Sequence, residues 1–250
     1  LGEIPLYLVS GNHDGETGWS GDMAQWAREA RLKLFPPNAQ LIGYSAGAAG
    51  NFYSFTEGDA LFVVLDPYTF TTERAGRSGN GWAVTLGEEQ YRWLEQTLQT
   101  SDAKWKFVFI HNLVGGAGKD QRGGAEAAQY FEWGGYGADG TYRFDQMRAG
   151  WDMPIRNLLS KYGVTAVFHG HDHFYAHQEE GGIVYQLVPQ PATAGGSVKN
   201  AAEYGYLSGV LLPSPGFLRV VVAEDGVTVE YWMQQKDGSF RIADAYSLTE

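Results

Sequence analysis

Five of the chain's six histidines stand just beyond short apolar runs. His13 sits in Gly11-Asn12-His13-Asp14, directly after the run PLYLVS. His111 ends WKFVFI. His169, His171 and His173 follow VTAVF, with Gly170 and Asp172 between them. Imidazole nitrogens, the amide oxygen of Asn12 and the carboxylates of Asp14 and Asp172 are all metal donors. A lone histidine after a strand is ordinarily structural, and GNHD alone suits a turn. Here both motifs follow strands of their own, with a strand-terminal histidine between them, and that combination points to a cation site. No Gly-rich phosphate loop of the Walker type is present.

The elements that must position these groups can be read from periodicity. Pro5 to Ser10 reads as a buried strand. Asp22 to Leu34 carries Met23, Trp26, Ala27, Ala30 and Leu34 at helical spacing and stops at Pro36-Pro37. Asn51 to Phe55 and Ala60 to Leu65 bracket a hairpin turn at Glu57-Gly58-Asp59, and residues 66–84 read as loop. Thr85 to Thr100 is the clearest helix, with Thr85 and Glu88 as a capping box and Tyr91, Leu94 and Leu98 as its apolar face. Trp105 to Ile110 is a buried strand. Residues 112–150 show no periodicity, and an unstructured stretch of that length suggests a functional loop. Asp152 to Tyr162 reads as a helix, with Pro154 in its first turn and Gly163 after its end. Val164 to Phe168 and Ile183 to Val188 read as strands. Phe217 to Val222 and Val227 to Met233 flank a turn at Asp225-Gly226, and Phe240 to Ala245 can pair next. If the strands lie in one open sheet, their carboxyl ends share an edge, where ligands of such sheets bind.

The chain has 250 residues, enough for one large core, and a single domain over 1–250 is expected. Its formal charge of −11 disfavours non-specific nucleic-acid binding. It does not exclude a small phosphorylated substrate, because bound cations dominate the field inside a metal site. The absence of cysteine excludes disulfides and thiolate zinc sites and leaves the compartment open. No apolar run has membrane-spanning length.

In its motifs the chain resembles the calcineurin-like metallophosphoesterases. That family carries five blocks in order: D-x-H, G-D, G-N-H-[DE], a strand-terminal H, and G-H-x-H. The last three stand here as Gly11-Asn12-His13-Asp14, His111 and Gly170-His171-Asp172-His173. The resemblance implies an α/β fold, a four-layer α/β/β/α sandwich of two mixed sheets, with the first strands missing from this sequence. It implies metal-dependent hydrolysis of a phosphomonoester or phosphodiester by a dinuclear centre with a bridging hydroxide, the ions being Mn, Fe, Zn or similar. By the same resemblance Asn12, His111 and His171 bind one metal and His173 the other. His13 faces the substrate, stabilises the transition state and protonates the leaving oxygen, and Asp14 holds its ring.

The chain departs from the family pattern upstream of Gly11, where ten residues leave no place for D-x-H or G-D. Gly21-Asp22 is out of order and reads as a helix cap. Two explanations fit: an incomplete record of a longer chain, or a separate N-terminal segment that completes the sheet. Either way residues 1–250 alone are expected to be poorly active on an aryl phosphate with Mn²⁺. Two other readings compete: a non-catalytic binding protein on the same fold, and a hydrolase with one zinc held by His111, His171 and His173. Among the remaining candidates, Arg122 could clamp a phosphate, and Tyr175 and His177 could line the cleft as substrate contacts. His169 is expected to pack on the strand below it, and Asp172 to support the ligands. Phe131-Glu132-Trp133-Gly134-Gly135 could form a substrate-facing wall, and Val114-Gly115-Gly116 could bring backbone close to the site.

Overall fold

The structure is a computed structural model that describes residues 5–14, 26, 29–30, 33–34, 45–46, 52–71, 80–116, 121–192 and 196–248. Eleven strands are found among them: β1 Ser45–Ala46, β2 Tyr53–Glu57, β3 Ala60–Val64, β4 Trp105–Ile110, β5 Ala166–His169, β6 Tyr175–Glu180, β7 Ile183–Leu187, β8 Val210–Leu212, β9 Gly216–Ala223, β10 Gly226–Gln234 and β11 Phe240–Leu248. The helices are α1 Gly87–Gln99, α2 Phe131–Gly134, α3 Phe144–Met147 and α4 Ile155–Lys161. No described helix is long and apolar enough to cross a membrane.

The first eight strands form one mixed sheet in the order β1-β2-β3-β4-β5-β7-β6-β8. Its centre, β3-β4-β5-β7, is parallel, and the strands on either side are antiparallel. The central strands are apolar on both faces, as a doubly covered parallel sheet requires. On one face, Leu61, Val63, Val108, Ile110 and Val167 meet Tyr91, Leu94 and Leu98 of α1 and Ile155, Leu158 and Leu159 of α4. Each of these side chains contributes about 1.5–3 kcal/mol by leaving water. On the other face, Phe107, Ala166, Phe168 and Val184 meet Val227 and Val229 of the antiparallel three-stranded sheet β11-β10-β9. The class is therefore α/β with two stacked sheets, and the described residues build three layers of it: helices, large sheet, small sheet.

Several expectations shift. Pro5 to Ser10 is irregular rather than a buried strand. Leu6 and Leu8 are 62% and 39% exposed, and no described strand gives the segment a ladder. It is anchored by side chains instead, with Tyr7 stacked on Phe55 at 4.2 Å and the Tyr53 hydroxyl donating to Leu8 O. Most of the expected helix at 22–34 lies outside the described residues. Its described positions are helical, but Trp26 and Leu34 are exposed. The Thr85–Glu88 capping box does not form. Helix α1 begins at Gly87, the Thr85 hydroxyl accepts from Gly87 N, and the Leu86 N–H is taken by the distant Glu132.

In the described part of 112–150 the chain is no open loop. It folds into a 3-10 turn at Ala125–Gln129 and the one-turn helices α2 and α3, with Trp133 and Phe144 fully buried. One-turn helices show no sequence period, so the aromatic residues had no visible pattern. The β6–β7 hairpin was not anticipated. Its two-residue turn is Gly181-Gly182, both at positive φ (60° and 79°), as the turn favoured by strand twist requires. In the β9–β10 hairpin, Ala223 pairs with Gly226, so the turn residues are Glu224-Asp225, one position earlier than expected.

Candidate metal centre

Parallel pairing of β4 with β5 puts the residues that follow them on one edge of the sheet. Gly170 N donates to His111 O at 2.8 Å, stitching the two strand ends together. The turn at 11–14 arrives over the same edge. It is closed by Asp14 N to Gly11 O at 3.1 Å and by Gly11 N to the Asp14 carboxylate at 2.7 Å. A Cβ on Gly11 would lie 3.1 Å from the His111 ring, so glycine lets the turn backbone rest on that imidazole.

Three donors converge here. Asn12 Oδ1 is 2.9 Å from His111 Nε2, and His171 Nδ1 is 3.3 Å from the same nitrogen. Metal–nitrogen and metal–oxygen bonds of about 2.0–2.2 Å require donor separations of this size around one ion. Burial, then the neighbouring His171, His173, His13 and His169, lower the His111 pKa to about 3. The ring is held neutral, which is the state that ligates. The donor set therefore fits one cation held by two imidazoles and an amide. Among the described residues no three His, Cys, Asp or Glu side chains converge on one point. His173 lines an adjoining cleft with Arg122 and Asp172.

The backbone is strained at two of these histidines. His171 and His173 have φ of 78° and 64°, in the left-handed region. Non-glycine residues there cost about 1–3 kcal/mol each and cluster at functional sites. Asp172 between them is buried and holds the loop in place. It accepts from Arg122 Nη1 at 2.7 Å, Gly123 N at 3.0 Å and the Tyr206 hydroxyl at 2.7 Å. His169 is buried against Tyr206, its pKa lowered to about 4 by burial, and its Nε2 has no hydrogen-bond partner among the described residues.

Gly196 packs against His173. A Cβ there would lie 1.9 Å from His173 O and 2.0 Å from Ser214 Oγ, which itself donates to His173 O at 2.7 Å. Gly196→Ala is expected to displace His173 and, on the reading proposed below that His173 serves a second ion, to lower metal affinity about tenfold while the far-ultraviolet circular dichroism stays native. Unchanged affinity by chelator competition would show that the approach is not constraining.

Other candidates are placed differently from expectation. Tyr175 was a candidate substrate contact, but it is fully buried between the sheets. It stacks on Tyr231 at 4.4 Å and donates to Asp244 at 2.7 Å. Because β6 runs into the sheet interior, its side chain cannot reach a cleft. Tyr175→Phe should cost about 1–2 kcal/mol in urea unfolding and leave KM for any substrate within about twofold. A KM effect without loss of stability would restore the cleft role. His177 stacks on Tyr246 at 3.6 Å in the same inter-sheet seam. Phe131 and Trp133 are core residues rather than a wall. The backbone at Gly115 and Gly116 approaches Phe131 and Gln121, not the histidines. Asp14 binds the Gly11 N–H, and His13 is exposed beside the cluster.

Sequence reading missed a supporting chain behind His111. Asp66, just after β3, is fixed by Gln90 through Asp66 N to Gln90 Oε1 and Gln90 Nε2 to Asp66 O, both 2.8 Å. It in turn accepts from Tyr68 N. The Tyr68 hydroxyl donates to Asn112 Oδ1 at 2.5 Å, and Asn112 Nδ2 donates to Gln121 at 3.2 Å. A strand-terminal Asp66 and a polar Asn112 after His111 were the available signals.

The sheet edge with its imidazoles, backed by the small antiparallel sheet, is the fold of the metallophosphoesterases. Yellow lupin (Lupinus luteus) purple acid phosphatase PPD1 superposes with a TM-score of 0.52 at 17% identity, over 98% of this chain and 41% of that one. PhoD superposes with a TM-score of 0.53 at 15% identity, over 89% of this chain and 46% of that one. The chain thus spans less than half the length of either structure. No curated protein matches it in sequence. Residues 1–175 match the calcineurin-like phosphoesterase family, and the chain belongs to that family.

Proposed function

We propose that this chain contributes the active site of a metal-dependent phosphoester hydrolase. The observation that carries the reading is the meeting of Asn12, His111 and His171 within 2.9 and 3.3 Å at one strand edge. These three would hold one divalent ion, and His173 would serve a second. When bound, such ions neutralise phosphoryl oxygens and acidify water. The remaining work belongs to the chain. His13, exposed beside the cluster, faces the substrate and donates its proton to the leaving oxygen. Asp14 fixes the turn that carries it. Asp172 holds Arg122 and the His171–His173 loop in register.

The test is turnover of p-nitrophenyl phosphate and of bis(p-nitrophenyl) phosphate with Mn²⁺ or Zn²⁺; for residues 1–250 alone, expected to be poorly active, any rate above that of the metal ion by itself counts as turnover. Hydrolysis that a chelator abolishes and metal restores supports the reading, and the ratio of the two rates sorts mono- from diesterase. His13→Ala is expected to lower kcat by about 10²–10⁴ with metal affinity retained. A second reading, a metal-holding protein without catalysis, draws on the lack of a carboxylate in the convergent set among the described residues. Stoichiometric metal binding with no turnover of either ester would favour it.

A further inference from the structure

Beside His173 a cleft of about 250 Å³ opens between the loop after β5 and the 3-10 turn Val198–Asn200. Arg122, Asp172, His173, Lys199, Asn200 and Tyr204 line it. A water molecule takes about 30 Å³ of liquid, so the cleft has room for a group the size of a phosphate or carboxylate with a short linker. It is smaller than the pockets of about 300–1,000 Å³ that enclose drug-sized ligands.

Its charge is unusual for this protein. The chain as a whole carries −11, yet the cleft presents two cations against one carboxylate. That carboxylate, Asp172, is committed: its oxygens accept from Arg122, Gly123 N and the Tyr206 hydroxyl. Arg122 is held against it at 2.7 Å and lies over the Tyr204 ring at 4.3 Å, so the pair is rigid and close to neutral. The remaining charge is the ammonium of Lys199. No carboxylate among the described residues pairs with it. Its backbone is fixed by Ser197, whose Oγ accepts from Lys199 N at 3.1 Å. A point cation on a flexible stem, rooted in an ordered turn at the mouth of a small polar cleft, is suited to an anion arriving from solvent.

We propose that this cleft is a specificity pocket for a second anionic group of the substrate, a phosphate or carboxylate joined by a short linker to the phosphoester that is cleaved, with Lys199 as its principal recognition residue. The proposal rests on the hydrolase reading above and narrows its substrate class to phosphate esters with an anionic tail. Tyr204 and Asp172 act as positioning residues, holding Arg122 as the wall of the pocket.

The experiment compares kcat/KM of the metal-loaded full chain on phenyl phosphate and on 4-carboxyphenyl phosphate or 1,4-phenylene bisphosphate. The wild type is expected to prefer the tailed esters, through a lower KM. Lys199→Ala should reduce that preference about tenfold and Lys199→Glu reverse it, whereas Lys199→Arg retains it, as expected for one charge-assisted contact. A preference unchanged in Lys199→Glu, or absent in the wild type, overturns the pocket while leaving the hydrolase reading intact. Turnover of none of the esters overturns the hydrolase reading, and the pocket falls with it. Selective loss of the tail preference for the bisphosphate alone identifies the tail as phosphate, and loss for both identifies a general oxyanion site.

Discussion

Replacing His111 by alanine is expected to weaken metal binding about a hundredfold or more, and replacing His171 to do the same, since each removes a proposed donor where even supporting groups count for 10–100-fold. His111 Nε2 lies 2.9 Å from the Asn12 amide oxygen and 3.3 Å from His171 Nδ1, so the three share one ion if they bind one at all. Sharing has a consequence that separate sites would not show: the double variant His111→Ala/His171→Ala should be hardly worse than either single one. Residues that act as a unit are strongly non-additive. Asn12→Ala should fall in the same group and His177→Ala outside it, because His177 is stacked on Tyr246 between the sheets. The measurement is competition for Mn²⁺ or Zn²⁺ against a chromophoric chelator. Additive losses from His111 and His171 would mean that the two rings serve different partners, and the single-ion assignment would be wrong.

What was legible in the sequence divides along physical lines. β4, β5 and α1 were readable because each is long or apolar enough to show its period, and because His111 and the Gly170–His173 motif mark where the strands stop. The meeting of those motifs at one edge followed from parallel pairing, which apolar runs on β4 and β5 announce. Pro5 to Ser10 failed for the opposite reason. An apolar hexapeptide looks like a strand, but a strand exists only through its ladder, and this segment has none among the described residues. Tyr175 failed because proximity in sequence to His173 says nothing of which face β6 presents. The alternation places Tyr175 and His177 toward the small sheet and Gln178 toward Glu126 and Ser208. Asp172 was legible as a supporting residue between His171 and His173, whereas its partner Tyr206 was not, since the bond spans residues that only the folded chain brings together.

The same limit explains why the residue with the largest expected effect on stability lay in a stretch without period. Glu132 is fully buried in α2, yet it carries a charge that three donors from elsewhere converge to meet. Leu86 N donates to its Oε1 at 2.7 Å, Arg148 Nε to its Oε2 at 2.5 Å, and the Thr85 hydroxyl also bonds it. Burial raises the pKa of this carboxyl, and Arg148, Thr85 and Leu86 oppose that rise. Arg148 is itself pinned, donating to Trp82 O at 2.7 Å and lying over the Trp82 and Trp151 rings. The carboxylate thus caps the start of α1 and ties the segment 131–148 to it. Glu132→Ala strands the arginine and the Leu86 N–H in a dry interior and should cost about 3–5 kcal/mol. Glu132→Gln keeps the shape and the cap but sets an amide N–H₂ against the guanidinium, and should fall between. The double replacement Glu132→Met/Arg148→Met should be less damaging than Glu132→Ala alone, because an apolar pair of similar volume leaves no charge unpaired. Urea unfolding monitored by tryptophan fluorescence measures all three. A loss below about 1 kcal/mol for Glu132→Ala, the range of exposed ion pairs, would show that water reaches the pair and that the segment is held by its aromatic packing alone.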